Sequence, residues 1–157
     1  MLAPRSEETE KRYEGIELVS RFFAYSDKYD ENFPDYTGNV AQYIDKYIEN
    51  MNGLWEVSSQ EDVYENRFQS MLDFAESYLG NRGFRKKEKS KSTPRARFEA
   101  LSVGITLALQ QNPNLEISDN AWIDEDEFSM ITKSDAANNK SKLKRRIEFV
   151  KNKLLSE

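Results

Sequence analysis

The stretch Ser92–Leu109, STPRARFEALSVGITLAL, constrains the fold of this chain more than any other. Thr93 suits an N-cap and Pro94 the first helical position, where a missing N–H costs nothing and the fixed φ already matches a helix. From Phe98 onward, Phe98, Leu101, Val103, Ile105, Leu107 and Leu109 point in every direction around the helical period. A helix that is apolar all round must be buried, and Ala100, Gly104 and Ala108 keep strips of its surface thin where neighbours approach. The apolar part falls well short of the roughly 20 residues of a membrane span, and Arg95, Arg97 and Glu99 flank it. The stretch therefore predicts a core helix over about 93–110 that other helices must enclose.

The rest of the chain supplies those helices. Thr9 or a neighbour can cap a helix running to about Ser26, with Tyr13, Ile16, Val19, Phe22 and Phe23 inward and Leu18 and Tyr25 widening the stripe. Gly15 within it permits a close helix crossing. The loop that follows holds Asp27, Asp30, Glu31 and Asp35, a set that invites a calcium reading. The spacing does not match an EF-hand, so a solvated connector is the better account. From Gly38 to Asn52, the residues Val40, Tyr43, Ile44, Tyr47, Ile48 and Met51 keep the helical repeat without a break, and Asn52-Gly53 supplies a stop. Ser58-Ser59-Gln60-Glu61 reads as a capping box opening a helix to Leu79, with Gly80 as its C-terminal cap.

Beyond the core helix, Gln110 to Asn114 forms a turn, and Asp119 or Asn120 caps a short helix whose packing residues are Trp122, Ile123, Phe128, Met130 and Ile131. The carboxylates of Asp124, Glu125, Asp126 and Glu127 lie on divergent faces, as a charged surface rather than a metal site. A last helix over 136–155 repeats Leu143, Ile147, Val150 and Leu154 behind a lysine-rich outer face. No strand pattern is present. These signals predict an all-α fold, a compact bundle of five or six helices around the buried helix 93–110. It forms a single domain over 9–157 with a disordered N-terminus over 1–8.

Missing residue types exclude much chemistry. The 157 residues include no cysteine and no histidine, which removes disulfides, thiolate nucleophiles, Ser-His-Asp catalysis and the usual zinc sites. No cofactor-binding motif is present either. The chain starts without an apolar leader, which makes a cytoplasmic location the expectation.

The clearest chemical signal is charge asymmetry. Between residues 82 and 97, Arg82, Arg85, Lys86, Lys87, Lys89, Lys91, Arg95 and Arg97 face Glu88 alone, a local charge of +7 in a chain whose net charge is -5. Arg85, Lys86, Lys87, Lys89, Lys91, Arg95 and Arg97 are the candidate phosphate-contacting residues, the last two beside a helix N-terminus that favours anions. The competing reading of the basic loop 82–92 is a solvated connector that balances acidic neighbours, since no aromatic platform beyond Phe84 accompanies it.

Three stretches together resemble a known family. RYEGIELVSRFFAY at Arg12–Tyr25, YTGNVAQYIDKYI at Tyr36–Ile48, and FRKK through TPRARFEALSVG at Phe84–Gly104 are similar to the C-terminal helical region of GmrSD-type proteins. These are bacterial restriction and phage-defence proteins with a ParB-like N-terminal domain. The closing KLKRRIEFVKNKLL, Lys142–Leu155, is similar to the ends of shorter members. In that family, nucleotide hydrolysis belongs to an Asp-Gly-Gln-Gln-Arg motif of the ParB-like domain, and DNA cutting to a His-containing nuclease domain. Neither motif is here: the only Gln-Gln, Gln110-Gln111, precedes Asn-Pro, and no histidine exists. The resemblance thus implies a non-catalytic helical domain, not an enzyme, that supports a ParB-like NTPase domain and contacts DNA, with no membrane involved. The rival reading is a helical protein-interaction scaffold without nucleic-acid binding, which predicts exposed apolar surface around Tyr13, Tyr25 or Trp55.

Overall fold

The computed structural model describes residues 14–55, 60–116, 119–133 and 139–156. Among the described residues, six α-helices follow one another: α1 (Glu14–Asp27), α2 (Val40–Trp55), α3 (Glu61–Leu79), α4 (Arg95–Gln111), α5 (Asp126–Ile131) and α6 (Lys140–Leu155). Single 3₁₀ turns at Gly80–Arg82 and Ala121–Asp124 lead out of α3 and into α5. No strand occurs among the described residues.

Helix α4 is the predicted core element. Every residue from Ala96 to Ala108 is buried, enclosed by α6 along most of its length and by α1 and α3 on other flanks. The thin strip is used at Gly104, where an added Cβ would lie 2.6 Å from the Val150 Cβ of α6. Leu143, Ile147, Val150 and Leu154 supply the facing side of α6, as their spacing implies. The helix begins one residue later than its sequence suggests, with Pro94 extended in the capping position and Arg95 first in the helix.

Charge inside this core was not foreseen. Glu99, read as a polar flank, is 1% exposed at the centre of the bundle. Its Oε1 accepts from Arg21 of α1 at 2.6 Å, and its Oε2 accepts from the fully buried Arg146 of α6. Arg21 is held from its other side by Glu17 at 2.6 Å. Three helices are therefore registered around one carboxylate. This network also sets the rotation of α1: the stripe that faces inward is Leu18, Phe22 and Tyr25 with Gly15 and Arg21, while Ile16 points outward at 63% exposure. Tyr13 lies outside the described residues.

Helix α2 corrects the sequence reading in a second way, since it runs through Asn52-Gly53 to Trp55. Gly53 has helical company and no crowding, and the Trp55 ring packs 5.2 Å from Tyr64 of α3, which holds the last turn in place. Ser58 and Ser59 of the expected capping box lie outside the described residues. At the far end of α3 the sequence signal holds: Gly80 takes φ +57, and its N–H closes the helix on the Glu76 carbonyl. Asn139 caps α6 by accepting from the Ser141 and Lys142 N–H groups.

The loop between α1 and α2 is a connector in which Asp27, Glu31 and Asp35 go to separate partners. Glu31 pairs with Lys28 at 2.8 Å and Asp35 with Lys46 at 2.6 Å. Phe33 is fully buried against Tyr25 and Tyr29. Asp27 closes α1 by accepting from Tyr47 of α2 at 2.6 Å, from Tyr64 of α3 at 2.8 Å, and from Arg67 of α3. Among the described residues, no group of three or more acidic side chains is placed to hold a metal ion. No described helix is long and apolar enough to cross a membrane.

Candidate nucleic-acid interface

The basic segment leaves α3 through a tight path. Gly83 takes φ +54, and its N–H reaches the Gly80 carbonyl at 3.0 Å. Phe84 then turns inward, fully buried, with its ring edge-on to Phe98 of α4 at 5.0 Å. This anchor fixes where the loop emerges. The tip is a hydrogen-bonded turn in which the Ser90 N–H reaches the Lys87 carbonyl at 2.9 Å, and the Ser90 hydroxyl accepts from the Lys87 N–H at 3.1 Å.

The seven candidate phosphate contacts separate into two sets. Lys86, Lys87, Lys89 and Lys91 are all exposed, and none of their ammonium groups pairs with a carboxylate among the described residues. The three arginines are engaged. Arg85 donates to the backbone carbonyls of Arg82, at 2.9 Å, and Asn81, so it caps the 3₁₀ turn. Arg95 is half-exposed and lies 3.4 Å from Glu17 and 3.5 Å from Glu14 of α1.

Arg97 departs furthest from the sequence reading. It is 3% exposed, with its guanidinium 5.0 Å above the Phe128 ring and one N–H directed at the Ile123 carbonyl at 3.5 Å. Burial, together with the nearby Arg82 cation, pushes its pKa down to about 10. A phosphate cannot reach it in this arrangement, so Arg97 leaves the candidate set. It sits there because residue 97 faces inward in the first turn of a helix that is buried all round, and the face of Phe128 attracts a cation. Arg82, the start of the basic run, donates from Nη1 to both oxygens of Asp124, at 2.7 and 2.9 Å.

A second concave feature had no counterpart in the sequence reading. Between α3 and the C-terminal half of α4 lies a cleft of about 480 Å³, floored by Asp27 and Arg67 and walled by Tyr64, Val63, Leu109 and Gln110 among others. Its floor joins residues 40 apart in the chain, and no local pattern announces such a pair. Near it, Trp55 is 38% and Val63 61% exposed. The exposed apolar surface expected of a scaffold is thus present at Trp55, whereas Tyr25 is fully buried. No protein-family model matches the chain, and neither a curated protein nor a solved structure is similar to it at a significant level.

Proposed function

We propose that this is the non-catalytic helical domain of a GmrSD-type DNA-restriction protein, which supports a ParB-like NTPase domain and contacts DNA phosphates through Lys86, Lys87, Lys89 and Lys91. The observation that carries this reading is the exposed quartet, without counter-ions among the described residues, presented on a loop anchored by Phe84. Strongly hydrated lysines exposed on the surface of an acidic chain are suited to phosphates, which release condensed counter-ions when neutralised. Catalysis in this reading belongs to the NTPase and nuclease domains. The test is binding of a labelled duplex across a salt series. Four phosphate contacts give a log–log slope of about -3.6, hence a loss of about 150-fold in affinity between roughly 50 and 200 mM salt. Replacing the four lysines with glutamine flattens that slope. A slope that survives the replacement removes the assignment.

A scaffold role without nucleic acid is favoured by one observation, the exposed Trp55 and Val63 beside the α3–α4 cleft. It predicts no duplex binding even at low salt.

A further inference from the structure

We propose that the cleft between α3 and α4 binds an extended peptide segment of a partner protein, taking one backbone amide on its polar floor and one aliphatic side chain between Val63 and Leu109. The inference stands on the cleft alone and is independent of DNA contact.

The floor rules out an ionic ligand. Asp27 Oδ2 already accepts from the Tyr47 and Tyr64 hydroxyls at 2.6 and 2.8 Å, and Oδ1 accepts from Arg67. Its charge is cancelled and its lone pairs are engaged, so a cation gains little there, while an anion approaching Arg67 meets Asp27 as well. Arg67 nonetheless remains rich in donors. Its guanidinium is stacked 4.5 Å from the Tyr64 ring centre, and of its five N–H groups Asp27 takes one from Nη1.

The walls call for both donors and acceptors without net charge. Gln60 and Gln110 line the cleft with carboxamides, which offer both. Ser70 and Thr106 line it with hydroxyls whose hydrogens go to the Asn66 and Ser102 carbonyls, at 2.8 and 3.0 Å, which leaves lone pairs as acceptors. The neutral group that answers this mixture is an amide. Apolar contact comes from Val63 and Leu109, and the cleft's volume of about 480 Å³ falls within the ordinary range of ligand sites. The apolar edge continues past the cleft to Trp55, packed 5.2 Å from Tyr64, which favours a chain over a compact small molecule.

The test uses amide-proton NMR of the full chain with N-acetyl-leucine methylamide and, as its charged counterpart, N-acetyl-leucine. The methylamide shifts the Val63, Ser70 and Gln110 resonances saturably, with a Kd of about 1 mM for a ligand of its size. The carboxylate binds about tenfold more weakly, because Arg67 is already paired with Asp27 and the added charge goes uncompensated. Leu109→Lys abolishes the shifts. Gln110→Ala, at an exposed position that leaves the fold intact, weakens binding about two- to tenfold. An acetylated tripeptide methylamide with leucine at its centre binds more tightly than the single residue. The proposal is overturned by absent or non-saturating shifts, by equal binding of the carboxylate, by indifference to Gln110→Ala, or by no gain from the tripeptide, which would mark a small-molecule pocket instead.

Discussion

Alanine at Gly104 and alanine at Gly53 are the same chemical change with opposite expected signs, and the pair tests how closely α4 and α6 approach. A Cβ at Gly104 would lie 2.6 Å from Val150 Cβ, 2.7 Å from Val150 Cγ1 and 3.1 Å from the Ile147 carbonyl oxygen. Carbon atoms pack at about 3.5–4.0 Å, so the two helices must separate by about 1 Å. No rotamer relieves this, because Val150 Cβ and the Ile147 oxygen are fixed to the backbone. Overpacking costs about 1–3 kcal/mol, and the upper end applies here. Alanine recovers about 1 kcal/mol through helix propensity. The net expectation is a destabilisation of about 2 kcal/mol, seen as a fall of about 4–8 °C in Tm for a domain of this size. At Gly53, inside α2, an added Cβ meets nothing within 4 Å, so the propensity gain stands alone. That variant should be about 0.4–1 kcal/mol more stable than the parent. Urea unfolding followed by circular dichroism, paired with calorimetry, reads both. Wild-type stability or better in Gly104→Ala would refute the close α4–α6 contact.

Other perturbations address the charges and tyrosines of the core. Glu99→Gln removes the carboxylate shared by the buried Arg21 and Arg146 and should cost about 3–5 kcal/mol in urea unfolding, whereas replacing all three residues with apolar ones of similar size should recover most of that loss. Asp27→Asn weakens the junction of α1, α2 and α3 by about 2 kcal/mol, since a charged acceptor of three donors becomes neutral; an unchanged unfolding midpoint would show the junction to be incidental. The pKa values of Tyr25, Tyr36, Tyr43 and Tyr47 are all raised above the ordinary 10.0, with burial as the leading cause. Their contribution is therefore fully present below pH 10.0 and is lost as pH rises beyond it, because the unfolded chain releases protons that the folded one retains. The slope is about 1.4 kcal/mol per pH unit for each tyrosine, with Arg97 opposing by one group. Tyrosinate absorbance that titrates near the ordinary value in the still-folded protein would contradict it.

The scaffold was legible because it rests on local periodicity. The all-round apolar run at Phe98–Leu109 can only be buried, and the repeats Val40–Met51 and Leu143–Leu154 each give a face to put against it. Turn chemistry read directly at Gly80, where one residue type satisfies one backbone need, whereas the last helix, expected from 136, is capped by Asn139 and starts at Lys140. What failed was everything set by distant partners. The rotation of α1 follows from Arg21 reaching Glu99, 78 residues away, and a helical wheel that counts only apolar residues chooses Ile16 instead. The cleft is invisible for the same reason: its floor is an ion pair between the end of one helix and the middle of another, and its walls are ordinary surface residues until α3 meets α4.

The basic run shows how much a charge count conceals. Read as +7 between residues 82 and 97, it treats arginine and lysine alike. The fold separates them. Arg82 donates from Nη1 to both oxygens of Asp124, Arg85 caps two carbonyls, Arg95 leans on α1 and Arg97 lies on Phe128, while the four lysines project from the loop with no carboxylate partner among the described residues. The physical reason lies in the head groups. A planar guanidinium is weakly hydrated, presents several donors in a fixed fork and stacks on rings, so it is readily drawn into structure; a compact ammonium holds its water and stays outside. Arg82 and Arg85 therefore brace the start of the loop that Phe84 anchors, and the lysines set what it offers to solvent. It follows that neutralising Arg82 or Arg85 should move the loop and lower stability together, whereas neutralising the lysines should leave stability within about 0.5 kcal/mol and change only the surface field. Equal losses of stability from both kinds of variant would show that the division is not real.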